Sequence, residues 1–537
     1  MTNITTALPG LFWEGEPLML HQKDEELQAC LLQLDKSVYV VQNNGTFMTH
    51  AGKLSTETKN SAMPVSAILP AIQAKQFGDA GFIKDYGVSA AVYFGAMANA
   101  ITSVEMVIAA GKAGYLASFG AAGLSMKVLE ESILKIKAAL PEGPFACNLI
   151  NNIYEPRIEE QTVLMYLKHQ VKVIEASAYL KLTINLVHYR AAGLSKAADG
   201  SIVIGNHIIA KVSRKEVAQK FLEPAPEKML QELMAAGKIT TEQAELALRV
   251  PMADDITVEA DSGGHTDNRP LTSLLPTMIA YRDELQRKHD FPQAVRIGAG
   301  GGISTPAAML AAFSMGAAYV VTGSINHACV ESGACQHTRG LLAKAGMADV
   351  IMAPCADMFE MGVKVQVLRS GTFYAMRAQK LYDLYVQYKS IEEIPVEERE
   401  KIEKQIFKKT LNEIWAETVA FFENRDPQQL QKAEADPHKK MALIFRWYLG
   451  LASRWSVVGD KDREMDYQIW CGPGMGTFND WVRGSYLEAP EQRQVVDITR
   501  HLFRGCAYHY RVNQLSLAGI KLPESISTYY PLASLAE

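Results

Sequence analysis

The chain lacks any long apolar run. Nowhere in its 537 residues do about 18 apolar residues follow one another without interruption, which excludes an ordinary membrane-spanning helix. The first residues, Met1-Thr2-Asn3-Ile4-Thr5-Thr6, lack the charged start and apolar core of an export leader, so a soluble, cytoplasmic protein is expected. Cysteine is sparse: seven residues, at 30, 147, 329, 335, 355, 471 and 506. An odd number without a C-x-x-C pair argues against a disulfide framework and suits a reducing compartment. A large excess of one sign of charge is missing too. A net charge of -5 supplies no basic field for nucleic acid or anionic lipid. His327 and His337 stand ten positions apart with no second ligand close to either, so no metal is expected. Internal repeats and low-complexity tracts are absent.

What is present suits a large core, with 48% hydrophobic residues and room for a barrel of about 250 residues plus extensions. Residues 37–41, the turn Asn43-Asn44-Gly45 and residues 46–48 read as a β-hairpin, followed by a polar stretch at 55–61. We take 1–85 as a small amino-terminal module. From residue 90 onward, short apolar runs alternate with helical periods, the pattern of parallel β/α units. Strands are predicted at 90–97, 114–120, 145–150, 171–178, 207–213, 256–262, 295–301 and 317–324, with helices such as 103–111 and 125–140 between them. Eight strands close a barrel, so the expected fold is α/β, a (β/α)8 TIM barrel over 86–378. A doubly wound open sheet is the competing topology.

The stretch 214–255 is too long for one barrel loop and helix. Pro224 and Pro226, a helical run at 227–236, Gly237, and Thr240 with Gln243 three places on predict an inserted helical hairpin after strand 5. It either covers the active face or decorates the outer wall. From 379 to 537 the composition turns helical: Pro395 starts a helix with Ile402, Ile406, Phe407, Ile414 and Trp415 on one stripe, and Val495, Ile498, Leu502, Cys506 and Tyr510 mark another. A carboxyl-terminal helical domain is expected, with Trp415, Trp447, Trp455, Trp470 and Trp481 in its core.

Residues 295–324 carry the strongest chemical signal. Gly300, Gly301 and Gly302 let a strand end turn sharply and expose its amides; Ser304 and Thr305 suit an N-cap and Pro306 a first helical residue. A strand returns, and Thr322-Gly323-Ser324 offers further donors. Such a pair of turns grips a phosphate at a helix N-terminus, as for FMN, or merely closes the barrel. Gly298 and Gly300 begin a G-x-G, but Ile303 stands where the third glycine belongs, so the dinucleotide fingerprint is incomplete.

A second motif, residues 258–267, ends the sixth strand on the same face. Gly263 and Gly264 let the chain hug a flat ring and present His265 at the rim, either as a working group or as a structural histidine. Cys355 has no neighbour in sequence that argues for a lowered pKa. Met358, Phe359 and Met361 suit a channel lining or simple packing.

The Gly-Gly-His turn, the later glycine turns, E-A-D-S-G-G-H-T-D-N-R-P after P-M-A-D-D-I-T, and A-P-C-A-D-M-F-E-M-G-V-K-V-Q-V-L at 353–368 resemble the PfaD family. Its members are the trans-acting enoyl reductases of polyunsaturated fatty acid and some polyketide synthases, within the nitronate monooxygenase-like superfamily of FMN barrels. The likeness covers nearly the whole chain. It implies that Ala96, Met97 and Ala98 lie against the flavin, with Gly95 where the superfamily has proline. It implies that Asn148 reaches the flavin, the alternative being a strand-end turn residue. Gly301, Gly302, Gly323 and Ser324 would hold the phosphate. Lys211, facing inward at the end of the fifth strand, would stabilise charge on the reduced flavin, or else snorkel at the surface.

The resemblance also implies a reaction. NADPH reduces the flavin, which then passes hydride to the β-carbon of an enoyl thioester borne by an acyl carrier protein, while the α-carbon takes a proton from His265 or from solvent. A His265 pKa near neutrality would suit that donation. Small residues at Ala96, Ala98, Gly120, Ala121, Ala122 and Gly123 would leave room for an apolar acyl chain, and Arg269 would face the acidic carrier or cap a helix. Two other functions stay open: a flavin oxidase of the nitronate monooxygenase kind, and a non-catalytic scaffold within a synthase. Oligomeric state is not legible, a homodimer included.

Overall fold

The computed structural model describes residues 8, 10–42, 45–57, 62–151, 155–289, 291 and 293–535. Five short strands come first: β1 (Phe12–Glu14), β2 (Val38–Gln42), β3 (Thr46–Thr49), β4 (Lys53–Ser55) and β5 (Met63–Leu69). They form an antiparallel sheet in the order β3-β2-β5-β1-β4, with Trp13, Val41 and Val65 buried between its curled ends. The predicted hairpin is the β2–β3 pair, Tyr39 opposite Thr49, and its tip at Asn43 and Asn44 lies outside the described residues.

The barrel follows. Its strands are β6 (Val92–Phe94), β7 (Leu116–Phe119), β8 (Ala146–Ile150) and β9 (Val173–Ser177); after a hairpin of β10 (Leu194–Lys196) and β11 (Ile202–Ile204) come β12 (His207–Val212) and β13 (Asp255–Glu259). Beyond the two-residue β14 (Gly264–His265), β15 (Arg296–Gly300) and β16 (Val320–Thr322) complete it. The eight pair in parallel and close on themselves, β16 against β6 and β9 against β12, so the open-sheet alternative is excluded. All eight predicted strands are present, each shorter than expected. Single bonds continue the pairing beyond the regular strands, as where the Ala260 amide donates to Gly300 O at 2.9 Å. Serine caps start the predicted helices: Ser103 before Val104–Lys112 and Ser125 before Met126–Ala139, each accepting from the amide three residues on.

Inside the barrel the layers are aromatic and polar. Tyr319 fills the space that a side chain at Gly298 would need, and its hydroxyl lies 2.9 Å from Thr257 Oγ1. Packing therefore requires glycine at 298. The amino-terminal end is shut by charge: Arg296 reaches Asp255 (2.6 Å) and Asp85 (2.6 Å) and lies over the rings of Phe82 and Tyr86, while Arg190 pairs with Asp254 at 2.8 Å. Removing one partner strands a buried charge. Arg296→Ala is expected to lower the unfolding free energy by about 3–5 kcal/mol, measured by denaturant titration.

The inserted hairpin forms as predicted, Glu227–Ala235 and Thr241–Ala247, with Thr240 and Gln243 making the capping box. It packs on the outer helix Ile184–Ala192 and on β10, and Lys238 pairs with Glu160, so it belongs to the outer wall. Two further strands, β17 (Val350–Pro354) and β18 (Lys364–Leu368), join β14 in an antiparallel sheet that sequence reading did not anticipate.

The carboxyl-terminal part is helical, with one correction. The stripe from Pro395 is two helices: Val396–Ile402 runs into a wider turn, Glu403–Phe407, breaks at Lys408 (φ 57), and restarts at Leu411–Arg425 behind a Thr410 cap. The break lets Phe407 pack on Phe445 and Tyr448. The long helix Val495–Leu517 buries Arg511, whose guanidinium donates to the carbonyls of Leu31, Lys36 and Pro70, fastening the last helix to the first module. No helix among the described residues is long and apolar enough to cross a membrane.

Candidate functional site: a cleft at the carboxyl ends of the barrel strands

The ends of β15 and β16 build one wall of a cleft of about 750 Å³, open solvent included. Gly301 (φ 97) passes so close to Ala260 that an added Cβ would stand 2.8 Å from its carbonyl carbon. Gly302 (φ 73) and Gly323 differ, since a Cβ at either would meet nothing within 4 Å. At Gly302 the left-handed backbone explains glycine. At Gly323 no neighbour excludes a side chain, and the space remains for a ligand. Thr305 caps Pro306–Ser314 as predicted, pointing that helix's N-terminus at the turn. Among the described residues, the amides of Gly302, Gly323 and Ser324 have no acceptor, and the buried Ser262 hydroxyl has no partner. Unsatisfied donors around open space fit a phosphate group.

The sequence-based reading missed the opposite wall. Trp470, Gly472 and Gly474 come from the carboxyl-terminal part and border the cleft, so Trp470 is not simply the core residue expected. Gly472 N donates to Ser324 Oγ at 3.0 Å, which fixes that hydroxyl and leaves its own O–H free to donate. Gly263 and Gly472 meet backbone to backbone: a Cβ at Gly472 would lie 2.7 Å from Gly263 N. Trp470 is held from behind, where its carbonyl lies 3.0 Å from Nδ1 of buried His327, a histidine that burial drives down to about 4. Glycine pairs far apart in sequence gave no warning of this contact.

Charge lies on the floor. Lys211 points inward, its Nζ 2.8 Å from Glu259 and 3.4 Å from the fully buried Glu175. Burial alone would lower the lysine's pKa, but the two carboxylates outweigh it and raise it, so the ammonium persists. Glu175 is also held by the Tyr93 hydroxyl and by Ala96 N at 2.8 Å. A glutamate in the apolar run V-I-E-A-S was the available signal for it.

His265 sits one strand outward, two residues beyond Gly263, and does not itself border the cleft. Its Nε2 lies 3.0 Å from Asp357 Oδ2, with Cys355 beside them. Burial opposes the imidazolium, yet Asp357 raises the pKa well above the usual histidine range. The expectation of a value near neutrality is therefore corrected: the pairing holds His265 charged. Burial pushes the Cys355 thiol up despite the neighbouring imidazolium. The β14-β18-β17 sheet makes this grouping, which spacing in sequence does not reveal.

The remaining predicted residues divide. Gly95, Ala96, Met97, Gly263 and Gly300 border the cleft; Ala98, Asn148 and Gly264 do not. Asn148 Nδ2 donates to Glu175 O (3.2 Å) and Ser177 Oγ (3.0 Å), bracing β9. Gly120 and Gly123 do not make acyl room. A Cβ at Gly120 would strike Met97 O and one at Gly123 the Asn99 amide, so their size lets the loop after β6 pack on the loop after β7. Phe359 packs among Tyr382, Tyr385 and Phe445 and Met358 is buried, which makes these two packing residues, whereas Met361 is exposed. Arg269 is exposed.

Fold and cleft together define the class: a closed β/α barrel whose binding face lies at the carboxyl ends of its strands. A solved structure described as the enoyl reductase domain of MlnA, from the macrolactin biosynthesis cluster of Bacillus amyloliquefaciens, is 38% identical with a TM-score of 0.78; the match covers 82% of this chain and 100% of that one. A polyunsaturated fatty acid synthase subunit of Thraustochytrium is 48% identical over 521 residues, 95% of this chain and 34% of that relative. Polyketide biosynthesis protein PksE of Bacillus subtilis is 41% identical over 466 residues, 87% of this chain and 60% of PksE. The chain thus spans only part of those two relatives. It belongs to the PfaD family. Residues 388–467 also match the family described as acyl-carrier-protein S-malonyltransferase, inserted helical domain, a likeness the sequence reading did not include.

Proposed function

We propose that the chain is an FMN-dependent enoyl reductase that uses NADPH to reduce the 2,3 double bond of enoyl thioesters carried on acyl carrier protein, during polyunsaturated fatty acid or polyketide assembly. The observation that carries the reading is the pair of glycine turns with unsatisfied amides opening onto unfilled space, in a chain matching the whole of a solved enoyl reductase domain. Gly301, Gly302, Gly323 and Ser324 hold the phosphate through their amides. Gly263, Gly300 and the backbone of Ala96 and Met97 lie against the ring. Bound there, FMN would supply the hydride chemistry that links NADPH to the β-carbon of the thioester.

The chain's own groups do the rest. Lys211, fixed between Glu175 and Glu259, keeps one positive charge beside the ring whatever the ambient pH in the physiological range. Asn148 is a positioning residue, holding the strand that carries Glu175. His265, kept charged by Asp357 just outside the cleft lining, would supply the proton for the substrate's α-carbon through one intervening water. The synthase relatives support the carrier partner.

Anaerobic reduction of the holoprotein by NADPH, followed by a short enoyl thioester, tests the reading. Prompt return of oxidised-flavin absorbance is expected. Recovery only on admitting air would assign the site to an oxidase instead.

A further inference from the structure

We propose that His265, Cys355 and Asp357 form a binding site for a zinc-class divalent ion, and that occupancy of this site switches the neighbouring cleft off. Their ligand atoms all lie within 4.8 Å of one another. The sheet explains how. His265 on β14 stands opposite Val365 of β18, and Val365 stands opposite Ala353 of β17 on its other side, so one central strand carries both halves of the set. Cys355 and Asp357 follow at alternate positions, and Cys355 N is tied to Val363 O at 3.1 Å.

His265 and Asp357 already face each other as an ion pair, and a metal ion would take the place of the proton between them. Nε2 of His265 and Oδ2 of Asp357 approach to 3.0 Å, yet neither makes an aligned hydrogen bond, and both atoms are buried. Two unsatisfied polar atoms and a thiol thus converge on one point. Zinc bonds of about 2.0–2.3 Å to nitrogen, oxygen and sulfur would set such atoms roughly 3.4 Å apart, within a small side-chain adjustment of what is present. One imidazole, one thiolate and one carboxylate suit zinc; magnesium and calcium favour oxygen alone. The His265 and Asp357 side chains are 35% and 27% exposed although their ligand atoms are buried, so the side-chain shift that admits the ion also admits a water as fourth ligand. On binding, the thiol and the imidazolium each release one proton to solvent, and the aqua ion gives up waters in exchange.

An ion held there engages the ring that otherwise donates the proton. The inhibitory half of the proposal rests on the role given to His265 above; the binding half does not.

The test uses the full chain and Co2+ as a spectroscopic stand-in, displaced afterwards by Zn2+. One equivalent of Co2+ should produce a thiolate charge-transfer band in the near ultraviolet. Cys355→Ser should abolish it, and Asp357→Asn should weaken binding by about tenfold or more. Failure of the wild-type chain to take up the ion, or a band that survives in Cys355→Ser, overturns the site. If Cys355→Ser does not fold by circular dichroism, Asp357→Asn decides, and unchanged affinity there overturns it. Zn2+ at its binding concentration should also remove enoyl reduction. Binding with turnover intact would keep the site and overturn the donor role of His265, whereas absence of binding leaves that role untouched.

Discussion

Gly472→Val is expected to leave the chain folded but unable to retain flavin. The segment around Gly472 crosses the mouth in backbone contact with Gly263, and a Cβ there would fall 2.7 Å from Gly263 N and 2.9 Å from Ser262 C. Backbone atoms on both sides cannot swing away as a side-chain tip can. The segment must lift, breaking the Gly472–Ser324 hydrogen bond and carrying Trp470 off the cleft. Affinity for FMN should fall by roughly 100-fold, about 2.7 kcal/mol, read as flavin lost on desalting and as altered Trp470 emission. Gly450→Ala is the control, because a Cβ at that helical position meets nothing within 4 Å. Full flavin retention in Gly472→Val would mean that the carboxyl-terminal segment is no part of the cofactor site.

The second large effect concerns the proton. His265→Ala should retain flavin, since His265 does not border the cleft, and should be reduced by NADPH at the wild-type rate, because that half-reaction asks nothing of the histidine. Enoyl reduction should slow by about 10²–10⁴-fold, the usual worth of a positioned acid. Rapid-mixing absorbance separates the two half-reactions. Unchanged turnover would hand the proton to solvent. If the variant's synthase also yielded unaltered products, the chain would act as a scaffold. Deleting the segment after Gln379 cannot decide that question, since it removes Trp470 and Gly472 from the cleft as well.

Residues that act through local geometry were legible. Ser103, Ser125, Thr240 and Thr305 are caps where their types and offsets predicted them. The glycine turns after β15 and β16 were visible too, because a glycine triplet at a strand end marks a sharp backbone turn. The smallness of Gly120 and Gly123 was equally visible but misread, for a glycine made necessary by a neighbouring loop looks the same in sequence as one beside open space. Trp470, Glu175 and Asp357 reach their places only through contacts of long range. Asp357, for example, meets His265 across a strand that begins at Lys364.

The eight strands, their order, the caps and the glycine turns were thus already set by the order of residues, because period, propensity and backbone sterics act over a few positions and need no partner. Folding in three dimensions was needed to make the carboxyl-terminal segment a wall of the cleft, to lay Lys211 between two carboxylates, and to bring His265 to Cys355 and Asp357. Those arrangements depend on where closure of the barrel and docking of the last helices bring distant backbones together. No spacing along the chain encodes them.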